Sequence, residues 1–159
     1  MNIVFKNAHS LKETLPPGKT FTLLAGCFDI LHISHIRLLE RAKEFEDLLV
    51  IAILSDEKVQ KNKGAGRPIQ PEAQRAEIMS SIRFVDYVFI AGIDPIGQET
   101  IELLKPSSVV FTDEKVVSER VKKWAANIQL WSPSTKIQMV PYDDTENIST
   151  SNIIKKIRA

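Results

Sequence analysis

The chain has 159 residues, 43% hydrophobic and 26% charged, with a formal net charge of +1. This composition excludes disorder as the main state, and the near-zero charge removes the electrostatic case for nucleic acid or an anionic membrane surface as partner. A single cysteine, Cys27, excludes an internal disulfide, and no signal peptide or membrane-length apolar run is visible, so a cytoplasmic protein is expected.

In chain order, residues 1–19 read as a lead-in: a short helical piece, Asn7 to Glu13, and a turn at Pro16-Pro17-Gly18. Gly18-Lys19-Thr20 is not a phosphate-binding P-loop, because Glu13 stands where that loop needs glycine and a strand follows. The strand, Phe21 to Ala25, breaks at Gly26 and opens through a tight turn into an amphipathic helix over about Ser34 to Phe45. Leu48 to Leu54 is an unbroken apolar run, the pattern of a strand buried on both faces. A polar, basic helix and loop follow from Glu57 to Pro71, with Gly64-Ala65-Gly66 lacking the third glycine of a dinucleotide fingerprint.

Helices are then expected from Pro71 to Arg83, Gln98 to Leu104, Val116 to Ile128, and from Ser149-Thr150-Ser151 onward. Strands are expected at Val85 to Ile90, Ser108 to Phe111 and Ile137 to Val140. Alternation of strands and helices on short connections predicts an α/β fold: a doubly wound, parallel, Rossmann-like sheet of about five strands in a single domain spanning residues 1–159. In such sheets ligands bind beyond the carboxyl ends of the strands, and the first strand-to-helix turn borders that crevice.

That turn is Gly26-Cys27-Phe28-Asp29-Ile30-Leu31-His32-Ile33-Ser34-His35. His32 and His35 share one face of a helix start, where free backbone N–H groups and a positive dipole suit phosphate. Taken alone, two histidines at this spacing are more often capping or surface groups, and a metal reading would need Cys27 or Asp29 to complete a ligand set.

The pattern Gly26, Phe28, Asp29, His32 and His35 after a strand resembles the signature of the HIGH-type, cytidylyltransferase-like nucleotidyltransferases. The following helix and strand, through Ser55-Asp56-Glu57, are similar to glycerol-3-phosphate cytidylyltransferase. Lys63-Gly64, Arg67-Pro68, Pro71, Gln74-Arg75 and the stretch from Ser149 to Ile157 are more like the adenylyltransferase domain of ADP-heptose synthase, which acts in lipopolysaccharide core biosynthesis. The resemblance runs from about Thr20 to the C-terminus and implies transfer of a nucleotide from a nucleoside triphosphate to a phosphorylated small molecule, releasing pyrophosphate.

Carried over residue by residue, it implies catalysis by His32, His35 and Lys63. It implies nucleotide or phosphate contacts by Gly26, Cys27, Phe28, Asp29, Ser34, Asp113, Ser149, Thr150 and Ser151. Substrate contacts by Arg67 and Arg75 and Mg²⁺ accompanying the triphosphate are also implied, with no metal held by the protein alone. A homodimer is expected because related enzymes pair and Trp124 and Trp131 need burial. Ser34 and Phe111 replace family glycines, and Asp144 and Asn147 replace the arginine and glycine of the cytidylyltransferases. The last two favour ATP over CTP, and the resemblance implies a sugar phosphate as acceptor. A cytidylyltransferase, an FAD-forming adenylyltransferase, and a nucleotide-binding protein that has lost catalysis remain the alternatives.

Overall fold

Buried on both faces, the run Leu49 to Ile53 lies at the centre of the molecule, every residue of it excluded from solvent. It belongs to β3 (Leu48–Leu54) of a six-stranded parallel sheet in the computed structural model, which describes residues 3–92, 94–113, 118–141 and 148–159. The other strands are β1 (Val4–Phe5), β2 (Phe21–Gly26), β4 (Tyr87–Ala91), β5 (Ser108–Asp113) and β6 (Lys136–Pro141). The helices are α1 (Ala8–Lys12), α2 (Ile33–Lys43), α3 (Asp56–Lys63), α4 (Glu72–Ser80), α5 (Gln98–Leu104), α6 (Glu119–Trp131) and α7 (Thr150–Arg158). None of the described helices is long and apolar enough to cross a membrane.

Alternation along the strands divides the core into two layers, because successive side chains point to opposite faces. Val50 and Ala52 join Leu23, Phe89 and Val109 under α1, α5 and α6, with Leu11, Ile101 and Ile128 as the helical contributions. Leu49, Ile51 and Ile53 join Leu24, Val88 and Val110 under α2 and α4, which supply Leu39, Ala42, Ala76 and Met79. Trp124 and Trp131 pack edge to face at 6.4 Å and lie against the first of these layers.

The sheet order is β1-β4-β3-β2-β5-β6. From β2 the chain winds outward through β3 to β4, then returns across β2 to form β5 and β6. The direction reverses between β2 and β5, so the carboxyl ends of those strands border the crevice where doubly wound sheets bind ligands. The expectation of five strands is corrected to six. The extra one is β1, whose Val4 and Phe5 pair with Val88 and Phe89, and a two-residue strand is too short to show any periodicity.

Candidate active site

The turn after β2 is backbone-strained. Phe28 and Ile30 have φ of 50° and 51°, a region that L residues, and β-branched ones above all, rarely enter. Two anchors hold it there. The Phe28 ring is buried and lies directly over Gly26, so close that a Cβ at Gly26 would sit 2.5 Å from it. Asp29, 1% exposed, accepts hydrogen bonds from the Arg67 Nε at 3.0 Å, the Ile69 N–H at 2.9 Å and the Gln70 N–H at 3.0 Å. Gln70 also accepts the Ile30 N–H through its side chain, at 3.2 Å. Burial alone would raise the Asp29 pKa, yet these hydrogen bonds and the Arg67 charge outweigh it and hold the carboxyl below its ordinary value.

His32 then takes the N-cap position of α2, in extended backbone conformation, and His35 follows one turn later. Their rings stack with centroids 3.8 Å apart, and the edge of Phe28 meets His35 at 5.4 Å. The His32 backbone N–H points to Nδ1 of His35 at 3.4 Å, which makes that nitrogen the acceptor and leaves the ring proton on Nε2. Burial first, then His32 and the charge of Lys63, push the His35 pKa down to about 3; burial also lowers that of His32. Both imidazoles are therefore neutral near pH 7 and act as N–H donors. Lys63 is the last residue of α3 and is exposed, its helix ended by Gly64 at φ 89°.

Helix α7 reaches the same turn from the far end of the chain. Ser149 caps it by accepting the Asn152 N–H at 3.1 Å, and the Thr150 hydroxyl donates to the backbone carbonyl of Asp29 at 2.5 Å. Ser151 is exposed in the first turn. The structure thus brings His32, His35 and the first turn of α7 together at the turn after β2, with the charge of Lys63 acting on His35.

Several residues expected to contact ligand make contacts within the protein. Arg75 is 1% exposed and donates to the carbonyls of Gln70, Cys27 and Leu54 and to the Asp56 carboxylate, at 2.6–2.9 Å. Four of its five N–H donors are spent inside the protein, and its side chain is fully excluded from solvent. Arg67 is held against Asp29 with a side chain 12% exposed, and its Nη2 is buried. The Asp29 carboxylate and the Thr150 hydroxyl are likewise consumed inside the protein, and Phe28 is a packing residue. Cys27 contributes its carbonyl to Arg75.

Ser34, expected to stand between backbone and ligand, is 5% exposed, so its side chain packs within the protein. Phe111 is partly buried against the layer under α1, α5 and α6. Asp113 ends β5 opposite Pro141; Asp144 and Asn147 lie outside the described residues. Sequence reasoning missed Gln70, whose only signal was its place between Arg67 and Pro71, and gave no role to Asp56, which it met only within Ser55-Asp56-Glu57.

Residues 23–156 match the cytidylyltransferase-like family. The chain belongs to that family. Among curated relatives of this cytidylyltransferase-like protein, the bifunctional protein HldE of Geotalea uraniireducens is 38% identical over 145 residues, 89% of this chain and 27% of its own. HldE of Campylobacter fetus is 37% identical over 147 residues, 89% of this chain and 28% of its own. The cytidylyltransferase-like chain thus spans little more than a quarter of these relatives' length.

Two solved structures are similar in fold. The lipopolysaccharide core biosynthesis protein of Thermoplasma volcanium superposes with a TM-score of 0.63 at 25% identity, over 79% of this chain and 98% of that one. Pantoate-β-alanine ligase of Francisella tularensis gives 0.64 at 16% identity, over 97% and 76%, a likeness of fold alone.

Proposed function

We propose that the protein is a nucleotidyltransferase that moves AMP from ATP to a phosphorylated small molecule, a sugar phosphate by preference, and releases pyrophosphate. The observation that carries this reading is the stacked, neutral His32–His35 pair at the N-terminus of α2 with the Lys63 charge acting on it. Family membership and the HldE relatives support it, and ATP is preferred over CTP on the replacements at Asp144 and Asn147.

The chemistry follows from the donors. An oxygen of the acceptor phosphate attacks the α-phosphorus; its bond to that phosphorus forms as the bond to the bridging oxygen of pyrophosphate breaks. The acceptor phosphate is already ionised near pH 7, so no general base is required. The protein's task is to hold the reactants in line and to balance charge on the non-bridging oxygens. The His35 Nε2–H and the N–H groups of α2 serve the α-phosphate, Lys63 brings a mobile positive charge, and Ser149, Ser151 and the N–H groups of α7 serve the departing phosphates.

Imidazole N–H, ammonium, hydroxyl and backbone N–H are all donors and fit phosphate oxygens. Mg²⁺ is accordingly assigned to the nucleotide substrate, where it neutralises phosphate charge.

The test is pyrophosphate release from MgATP with a panel of phosphorylated acceptors. His35→Ala is expected to lower turnover about 10²–10³-fold, the usual cost of one transition-state donor, with an unchanged circular dichroism spectrum. A variant with near-native turnover would remove the histidine pair from the mechanism.

A further inference from the structure

Of the two residues held at positive φ after β2, Phe28 is anchored by its buried ring, whereas Ile30 is only half-buried. A β-branched residue in the left-handed region is strained by about 1–3 kcal/mol and stays there only where its surroundings over-determine it. Ile30 stands two residues ahead of His32, so whatever holds it sets the approach to the histidine pair.

The contact that holds it is the side chain of Gln70, whose Oε1 accepts the Ile30 N–H at 3.2 Å. Gln70 is itself fixed through its main chain. Its N–H donates to Asp29 Oδ1 at 3.0 Å, and its carbonyl accepts the Arg75 Nε–H at 2.9 Å. Pro71, the N-cap of α4, follows and biases Gln70 towards extended backbone. One residue from outside the turn thus grips it at two successive positions, with its N–H on Asp29 and its side chain on Ile30.

The consequence reaches His35. From Ile30 the chain enters α2 at His32 in an extended conformation, φ −142°, and there the His32 N–H faces Nδ1 of His35 at 3.4 Å. At that length a small rotation of the turn breaks the contact. It is also the contact that makes Nδ1 an acceptor and keeps the ring proton on Nε2. Relaxation of Ile30 to negative φ redirects the chain ahead of His32 and takes its N–H away from the ring.

Resting on the nucleotidyl-transfer reading, we infer that Gln70 is a positioning residue for the histidine pair: by holding Ile30 left-handed it fixes the orientation and tautomer of His35. It acts through the turn rather than by contact with substrate. A transition-state donor displaced by a fraction of an ångström loses much of its effect, so the loss falls on kcat more than on KM.

The test uses Gln70→Met and Gln70→Ala in the full chain, both of which remove the acceptor, with turnover counted per folded molecule from thermal melts. Each is expected to lower kcat for pyrophosphate release about tenfold or more, with KM for MgATP within about twofold. Adding Ile30→Gly supplies a residue that takes positive φ without strain and should return about a third or more of the lost turnover. A residue that merely stabilised the fold would lower the thermal midpoint without this split, and glycine would not restore turnover. A kcat within about twofold of the unaltered protein in both variants, or double variants no faster than their parents, overturns the inference.

A second readout needs no turnover. Long-range proton–nitrogen NMR of the His35 ring should show the proton on Nε2 alone in the unaltered protein and shared between both nitrogens in the Gln70 variants. Unchanged ring spectra in both variants overturn the inference whatever the activity. If the unaltered protein releases no pyrophosphate with any acceptor while the spectra respond as expected, the transfer reading falls and the positioning by Gln70 stands.

Discussion

At Gly26 the motif's requirement for glycine has a steric cause. Its backbone φ is not in the left-handed region, so conformational freedom is not the reason. The reason is the Phe28 ring, which occupies the volume a side chain would take. Gly26→Ala must displace a buried aromatic that also braces His35 at its edge. Overpacking of this kind costs about 1–3 kcal/mol. The expected outcome is a lower thermal midpoint together with a turnover loss larger than the stability loss explains, measured by calorimetry and pyrophosphate release on the same preparation.

Between elements, Arg75 acts as the joint. From α4 it ties together the turn after β2, the end of β3 and the start of α3 through Cys27, Leu54 and Asp56, and it holds Gln70, the residue that in turn grips Asp29 and Ile30. Replacing it by methionine keeps the volume and strands three carbonyls. Each buried acceptor left without a partner costs about 1–3 kcal/mol, whereas Asp56 is exposed enough to be solvated. Arg75→Met should therefore lower the unfolding free energy obtained from urea melts by about 3 kcal/mol or more, and a loss below about 1 kcal/mol would show that the network is not a support.

The sequence could mark Arg75 as important but not say how. Its charge and its place near the loop suited a ligand contact equally well, and only burial, which depends on where β2, β3 and α4 meet, decides between the two. The same limit applies to Asp29 and Thr150. Both stand in motifs that read as phosphate sites, yet the Asp29 carboxylate accepts from Arg67, Ile69 and Gln70 and the Thr150 hydroxyl donates to the Asp29 carbonyl. By contrast, the helix start at His32 and the apolar run Leu49 to Ile53 were legible, because periodicity and capping are local properties of the chain.

For the whole molecule, acid stability follows from the histidine pair. His35 has a pKa of about 3 when folded against an ordinary 6.5. Between those values the unfolded chain binds a proton that the folded one refuses, so stability is full above about pH 7 and declines as the pH falls from 6.5 towards 3. His32 acts in the same sense, and Asp29, lowered when folded, adds a further loss below about pH 4. Urea midpoints collected across this range should show the decline, and His35→Asn should flatten it. An equal slope in the variant would place the acid sensitivity elsewhere.

The bond from the Thr150 hydroxyl to the Asp29 carbonyl joins residues 121 positions apart. A chain leaving the ribosome can pair β2, β3 and β4 long before residue 150 exists, whereas this bond must await it and then close a very long loop. The His32–His35 turn is thus made well before the residue that braces it. A nascent or C-terminally clipped chain would carry the histidines on a formed sheet without the wall that α7 provides. On the proposed function, assembly of the phosphate site is in this way tied to the first turn of α7.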